Sequence, residues 1–343
     1  MRGRGYRPAL DGLRALAVLS VLAYHTWAGA FPGGWVGVDV FFVLSGYLIT
    51  SILLAEHERT GRISFGRFYL RRALRLFPAL AACILAALAL AETQGPGLTA
   101  VTAREAAAAA VYVSNWWLVA NPHAPAGLLR HTWSLSIEEQ FYLCWPVLLW
   151  ALLAVLGQRA VLWGALTGIA VVVGYRLVLT AMLPLPYLTY YRTDTRADAL
   201  LIGAAVAGLA ARGTLAHVPG LALRLAAAVG IVGLSAVVLA AAAVVAAVVA
   251  PHGWSLLERA LSWGPLVSVG RISYGVYLFH IVIWQGLLAP HISSGPLAAV
   301  LTAALTLGVA TASFRYLETP FLRMKERLGS RRPAAVPELP VAA

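Results

Sequence analysis

WVGVDVFFVLSGYLITSILL, residues Trp35 to Leu54, runs for twenty residues with a single charged side chain, Asp39. A helix of that length rises about 30 Å at 1.5 Å per residue, which matches the hydrocarbon core of a bilayer. The stretch therefore reads as a membrane span. The chain around it agrees: of 343 residues, 60% are apolar or aromatic and only 12% are charged, and the mean hydropathy is +0.78. About a quarter of an average globular sequence is charged, so a water-soluble fold is excluded. No long hydrophilic block remains for a second domain.

Working outward from that stretch, the pattern predicts an all-α integral membrane protein, a bundle of about ten transmembrane helices. The expected spans are Leu13–Ala30, Trp35–Leu54, Phe77–Ala91, Glu105–Val119, Ile137–Leu156, Ala160–Met182, Asp194–Ala211, Leu225–Ala250, Leu266–Leu288 and Pro296–Leu317. Glu105–Val119 is short and alanine-rich, with an interfacial helix as the alternative. The domain organisation that follows is a basic tail over 1–12, a polytopic membrane domain over 13–317 and a C-terminal tail over 318–343. The Pro/Ala-rich end of that tail is expected to be disordered.

The 26 basic residues against 14 acidic give a net charge of +12, and all but Lys325 of the basic set are arginine. They sit in short loops between apolar runs, which argues for membrane topology rather than a nucleic-acid partner. With the N-terminus in the cytosol, the outer loops hold only Arg104, Arg159, Arg212 and Arg224, while the other 22 basic residues fall on or near the inner side. Both termini are therefore expected in the cytosol. The first span also resembles a signal peptide, ending in Ala28-Gly29-Ala30, but Arg14 and His25 interrupt its apolar run and a second span follows almost at once. Cys83 and Cys144 lack metal-ligand spacing and read as small core residues, so no metal is expected.

Ionisable groups inside spans are expensive, which makes each a candidate for function. Arg14 and His25 are 11 residues apart. Eleven steps of 100° come to three turns plus about 20°, so the two share a helix face, separated by roughly 16 Å. The turn at Phe31-Pro32-Gly33-Gly34 brings Asp39 back to the depth of His25. A carboxylate there could fix the imidazole's tautomer, with His25 as general base; alternatively Asp39 pairs with an arginine. Arg67, Arg71 and Arg75 form a stripe with Arg72 beside it, suited to phosphate or, equally, to anionic headgroups. In the segment His131 to Tyr142, Ser136 and Glu139 fit a capping box, which leaves Glu138 to face the interior. In Tyr191 to Asp198, Asp194 is a natural N-cap, and Arg196 and Asp198 go deeper as candidates for a donor site. His280 reads as a packing residue. The chain has no Gly-x-Gly-x-x-Gly after a strand, no Walker loop, no His-Glu-x-x-His and no Gly-x-Ser-x-Gly.

Taken in order, Arg14-x10-His25, Gly37-Val-Asp-Val-Phe-Phe-Val-Leu-Ser-Gly-Tyr47, Arg72-x-x-Arg75, Ser134-Leu-Ser-Ile-Glu-Glu-Gln-Phe-Tyr142 and Ile272-Ser-Tyr-Gly-Val-Tyr-Leu-Phe-His280 resemble the membrane acyltransferase 3 family over nearly the whole chain. The resemblance implies transfer of an acyl group, usually acetyl, from acyl-CoA to a hydroxyl on a sugar, glycan or small molecule. It implicates Arg14 and His25 as essential, Arg72 and Arg75 at the donor mouth, and Glu138. With the residue reading, the expected catalytic set is His25, Asp39 and Glu138, and the expected donor-binding set is Arg14, Arg71, Arg72, Arg75 and Arg196. Many members that act on surface polysaccharides continue into an SGNH-type hydrolase domain that this sequence does not include, so the acceptor class stays open. A proton-coupled transporter would share the hydropathy, but the two halves show no matching interrupted helices.

Overall fold

Helices carry the described structure, and no strand occurs among the described residues. The computed structural model describes residues 6–182, 186–217, 234–250, 255–321 and 323. The helices are α1 (Pro8–Thr26), α2 (Gly37–Thr60), α3 (Phe65–Gln94), α4 (Pro96–Ala110), α5 (Ser114–Ala120), α6 (Trp133–Leu156) and α7 (Arg159–Met182). They continue as α8 (Pro186–Tyr191), α9 (Thr193–Ala211), α10 (Leu234–Val249), α11 (Ser255–Leu261), α12 (Gly264–Arg271), α13 (Ser273–Ile283) and α14 (Pro296–Ser313). A π-turn extends α13 over Trp284–Leu288 and another extends α14 over Phe314–Glu318.

Among the described residues, five helices are long and apolar enough to cross a membrane: Gly34–Thr60, Phe65–Gln94, Arg130–Leu156, Arg159–Met182 and Pro296–Phe321. The pair Gly264–Arg271 and Ser273–Leu288, bent by 71°, makes a sixth if it counts as one span. The protein is thus a multi-pass membrane protein. Leu143, Val147, Trp150 and Val155 on α6, with Trp163, Val171 and Leu177 on α7, turn outward as an apolar belt for lipid.

Six of the ten expected ranges fall on these helices. The expected first and seventh are α1 and α9, which carry Asp11 and Arg14, and Asp194, Arg196 and Asp198, and so lack the uninterrupted apolar run of the others. The expected fourth, Glu105–Val119, is not one helix. It breaks where Tyr112 takes a φ of 55°, between α4 and α5. Glu105, buried on α4, accepts the backbone N–H groups of Gly127 at 3.0 Å and Leu129 at 2.9 Å, and so ties down the loop that leads into α6. Most of the loop-proximal half of the eighth range, 225–233, lies outside the described residues, as do 1–5 of the N-terminal tail and, apart from residue 323, the C-terminal tail beyond Phe321.

The packing that positions the site centres on α2, which lies along α9, while α9 lies along α7 and α1 lies against α2, α12 and α13. Gly46 and Gly203 set the α2–α9 distance. A Cβ on Gly46 would fall 1.8 Å from the Leu200 carbonyl oxygen, and one on Gly203 would fall 2.0 Å from that of Val43. Only glycine lets the two backbones touch, as at close helix crossings in membranes. At its C-terminal end α2 stops at Gly61, whose φ of 69° suits a left-handed cap, its N–H bonded to the His57 carbonyl.

Candidate active site

Two cavities lie toward opposite ends of α1 and α2. The first, of about 270 Å³, is lined by Asp11 and Arg14 near the start of α1, by Ser45 to Ile52 on the later part of α2, and by Arg72 and Arg75 on α3. Ser134, Glu138, Glu139 and Tyr142 of α6, Tyr274 and Tyr277 of α13, and the rings of Phe41, Phe42 and Tyr112 form more of its wall. The second, of about 710 Å³, is lined by Val21, Tyr24 and His25 near the end of α1, by Trp35 before α2, and by Arg130, His131 and Trp133 at the start of α6. Tyr190, Tyr191, Ile281 and Gln285 form more of its wall. Val38 and Tyr277 line both cavities, so they form the partition between them.

In the first cavity the charged groups interlock. Arg72 pairs with Glu139 at 3.4 Å and lies 3.4 Å from the centre of the Tyr142 ring, a cation–π contact. Glu138 accepts a hydrogen bond from the Ser45 hydroxyl at 2.9 Å, and Arg14 Nε donates to Ser273 Oγ at 3.2 Å. Arg75 makes no salt bridge among the described residues, so its guanidinium fork is available to an anion. Of the expected donor-binding residues, Arg14, Arg72 and Arg75 come together here. Arg71 does not line the cavity, although it shares the exposed stripe with Arg67 and Arg75; of the α3 arginines only Arg72 and Arg75 reach the cavity wall. Ser136 does not cap α6 either. The helix begins at Trp133, so Ser136 lies inside it, accepting from the Ser114 N–H at 3.1 Å, and Glu139 is left to meet Arg72.

Asp39 does not meet His25. Its Oδ1 takes Arg196 Nη2 at 2.6 Å, a pair buried between α2 and α9, with Arg196 stacked 4.8 Å from the Tyr190 ring centre. The glycine contact of α2 with α9 turns Asp39 toward that helix. Arg196 is correspondingly absent from the first cavity's wall, and Asp198 is taken by Arg176 of α7 at 2.8 Å. Asp194 sits in the first turn of α9, paired with Arg192, which occupies the N-cap position in its place. Cys83 is buried and Cys144 exposed, both as free thiols.

The partner of His25 is a second histidine. His25 Nδ1 lies 2.9 Å from the Val21 carbonyl oxygen and 3.3 Å from His280 Nε2. A carbonyl can only accept, so His25 Nδ1 carries the proton. His280 Nδ1 lies 2.6 Å from the Tyr277 carbonyl and is protonated by the same logic, which leaves its Nε2 as the acceptor that His25 faces. His25 Nε2 therefore bears a lone pair, on a ring that lines the second cavity. His131 stands beside the pair, its ring 5.3 Å from that of His280 and its Nε2 bonded to the Leu278 carbonyl at 3.0 Å. Among the described residues no group of His, Cys, Asp or Glu side chains is arranged to hold a metal ion. Tyr277 donates to the His131 carbonyl at 3.0 Å, so the Ser134 hydroxyl, 2.6 Å away, donates to Tyr277. Arg14 and His25 do share a face: both reach α13, at Ser273 and at His280. Sequence reasoning missed His131, Tyr277 and the aromatic wall of the second cavity, although His131 and Tyr277 sit inside segments it had singled out.

The acyltransferase domain family, acyltransferase 3, matches residues 7–315. The chain belongs to the acyltransferase 3 family. That match makes residues 7–315 an acyltransferase domain. Among its relatives are the peptidoglycan O-acetyltransferase OatA of Listeria monocytogenes, 34% identical over 92% of this chain and 56% of the relative, and the O-acetyltransferase OatA of Staphylococcus aureus, 32% identical over 92% and 57%. A putative O-acetyltransferase of Staphylococcus aureus, SAS0844, is 31% identical over 97% of this chain and 60% of its own. The chain thus spans a little more than half the length of these relatives. No solved structure matches it.

Proposed function

We propose that this chain is a membrane O-acyltransferase that moves an acyl group, acetyl, from acyl-CoA to a hydroxyl of a sugar, glycan or glycosylated small molecule. One observation carries the reading: an arginine-lined cavity and a cavity holding a histidine with a free lone pair meet at a shared wall, Val38 and Tyr277. The names of the relatives support acetyl as the group and a cell-wall glycan as the kind of acceptor. The family match gives the transporter alternative no support.

Arg14, Arg72 and Arg75 hold the phosphates of coenzyme A, and the first cavity, too small for the nucleotide, admits the pantetheine arm and thioester. Glu138 positions that arm or the arginines around it. His25 Nε2 takes the proton of the acceptor hydroxyl as its oxygen attacks the thioester carbonyl. The C–O bond forms, the C–S bond breaks, and the imidazolium returns its proton to the departing thiolate, so ester and free thiol are the products. No metal takes part in this scheme. The domain 13–317 would sit in a bacterial-type cytoplasmic membrane as about ten spans, with α1 and α9 among them and both tails, 1–12 and 318–343, in the cytosol. The arginine-rich cavity then opens inward, as the positive-inside rule favours.

The test is release of free thiol from acetyl-CoA by protein in nanodiscs, with a panel of hydroxylated acceptors. His25→Ala is expected to lower acceptor-dependent release by about 100-fold or more. A folded His25→Ala protein with normal turnover overturns the assignment.

A further inference from the structure

We infer that the second cavity is the acceptor subsite and that it takes a pyranose ring carrying an anionic substituent. The inference rests on the transferase reading only for the role of His25. The wall opposite that histidine is aromatic. Trp133 lies 5.0 Å from Tyr190 and 5.1 Å from Tyr191 between ring centres, and Trp35 lies 6.4 Å from Tyr190. Trp35, Tyr190 and Tyr191 are only half-buried, so their faces remain open to the cavity. A pyranose presents a face of C–H groups to such rings and a rim of hydroxyls to polar neighbours.

The polar neighbours are of a particular kind. Arg130 donates from one nitrogen to the Ala124 carbonyl at 3.1 Å and makes no salt bridge among the described residues. Gln285 is exposed on the same wall and makes no hydrogen bond among the described residues. An alkyl or acyl occupant would fill the aromatic side but offer no acceptor to the remaining guanidinium N–H groups of Arg130 and no partner to the Gln285 amide. A sugar satisfies the amide with a hydroxyl, and a carboxylate or phosphate on it satisfies the guanidinium fork. A volume of about 710 Å³ accommodates such a ligand.

The test measures equilibrium binding of methyl glucuronide, methyl glucoside and 1,6-hexanediol to protein in phosphatidylcholine nanodiscs, with acetyl-CoA binding as the folding control. Glucuronide should bind about tenfold more tightly than glucoside. Arg130→Gln should erase that preference, Trp35→Leu should weaken both sugars alike, and the diol should not bind. A preference that survives Arg130→Gln overturns the anionic assignment. So does a preference lost when phosphatidylglycerol is added to the nanodisc, since the guanidinium would then be holding a lipid headgroup. Absence of pyranoside binding in protein that binds acetyl-CoA overturns the subsite, as does binding indifferent to Trp35→Leu. Sugar that binds without prompting thiol release leaves the subsite standing and sinks the transferase reading.

Discussion

Which nitrogen of His25 carries the proton is the residue-scale question on which the chemistry turns. The Val21 carbonyl and His280 Nε2 both claim Nδ1, and only that tautomer leaves Nε2 as a base. Under the proposed transferase reading His280 acts as a positioning residue, in the place where a carboxylate was expected. Replacing it by leucine should lower kcat by roughly 10- to 100-fold with the donor KM unchanged, because the orienting partner of a catalytic histidine acts on the transition state rather than on binding. His280→Gln, whose amide oxygen can accept from Nδ1, should recover much of the loss; equal kcat in both variants would make His280 a packing residue after all. Arg75, which makes no salt bridge among the described residues, carries a different prediction: Arg75→Ala should raise the donor KM several-fold, and the effect should shrink as salt screens the phosphates. The shared face of Arg14 and His25 was legible because helical periodicity fixes azimuth along one helix. The partner of His25 was not, since counting residues around the Phe31–Gly34 turn gives Asp39 a height and says nothing about which neighbour it faces.

Among elements, the α2–α9 contact does the most to shape the site. Gly46 and Gly203 bring the backbones together, Asp39 and Arg196 neutralise each other in the gap, and Arg196 backs the Tyr190 ring on the cavity wall. Removing one member of a buried pair strands the other charge. Asp39→Ala should cost about 3–5 kcal/mol, read as a lowered melting temperature, while replacing both residues by apolar ones should restore most of it. An Asp39→Ala protein as stable as wild type would show that the pair is solvated. Glu105 makes a smaller prediction at the same scale. Glu105→Ala leaves the N–H groups of Gly127 and Leu129 without an acceptor and should cost about 1–3 kcal/mol. The same residue explains why the fourth expected span fails: hydropathy saw fifteen alanine-rich residues but not that the carboxylate is spent on a loop twenty-two residues on. The long apolar spans were legible, because an uninterrupted run of that length has one solution in lipid. The helix that bears His25, α1, and the helix packed along α2, α9, are the ones whose charges blur that signal.

On the scale of the molecule, two cavities lie toward opposite ends of α1 and α2 and are separated by Val38 and Tyr277. Three arginines, Arg14, Arg72 and Arg75, line the first and only Arg130 the second, and the second holds His25, so an anionic donor and a glycosidic acceptor would enter without crossing paths. The division was half visible beforehand. The arginine cluster on α3 could be read from the chain, but the aromatic wall is assembled from Tyr24, Trp35, Trp133, Tyr190 and Tyr191, which four separate segments contribute. The most direct measurement seals radiolabelled acetyl-CoA inside proteoliposomes and supplies the acceptor sugar only outside. Label should appear in the external sugar with wild type and not with His25→Ala. Transfer that occurs only when donor and acceptor share one side of the bilayer would contradict the two-ended site.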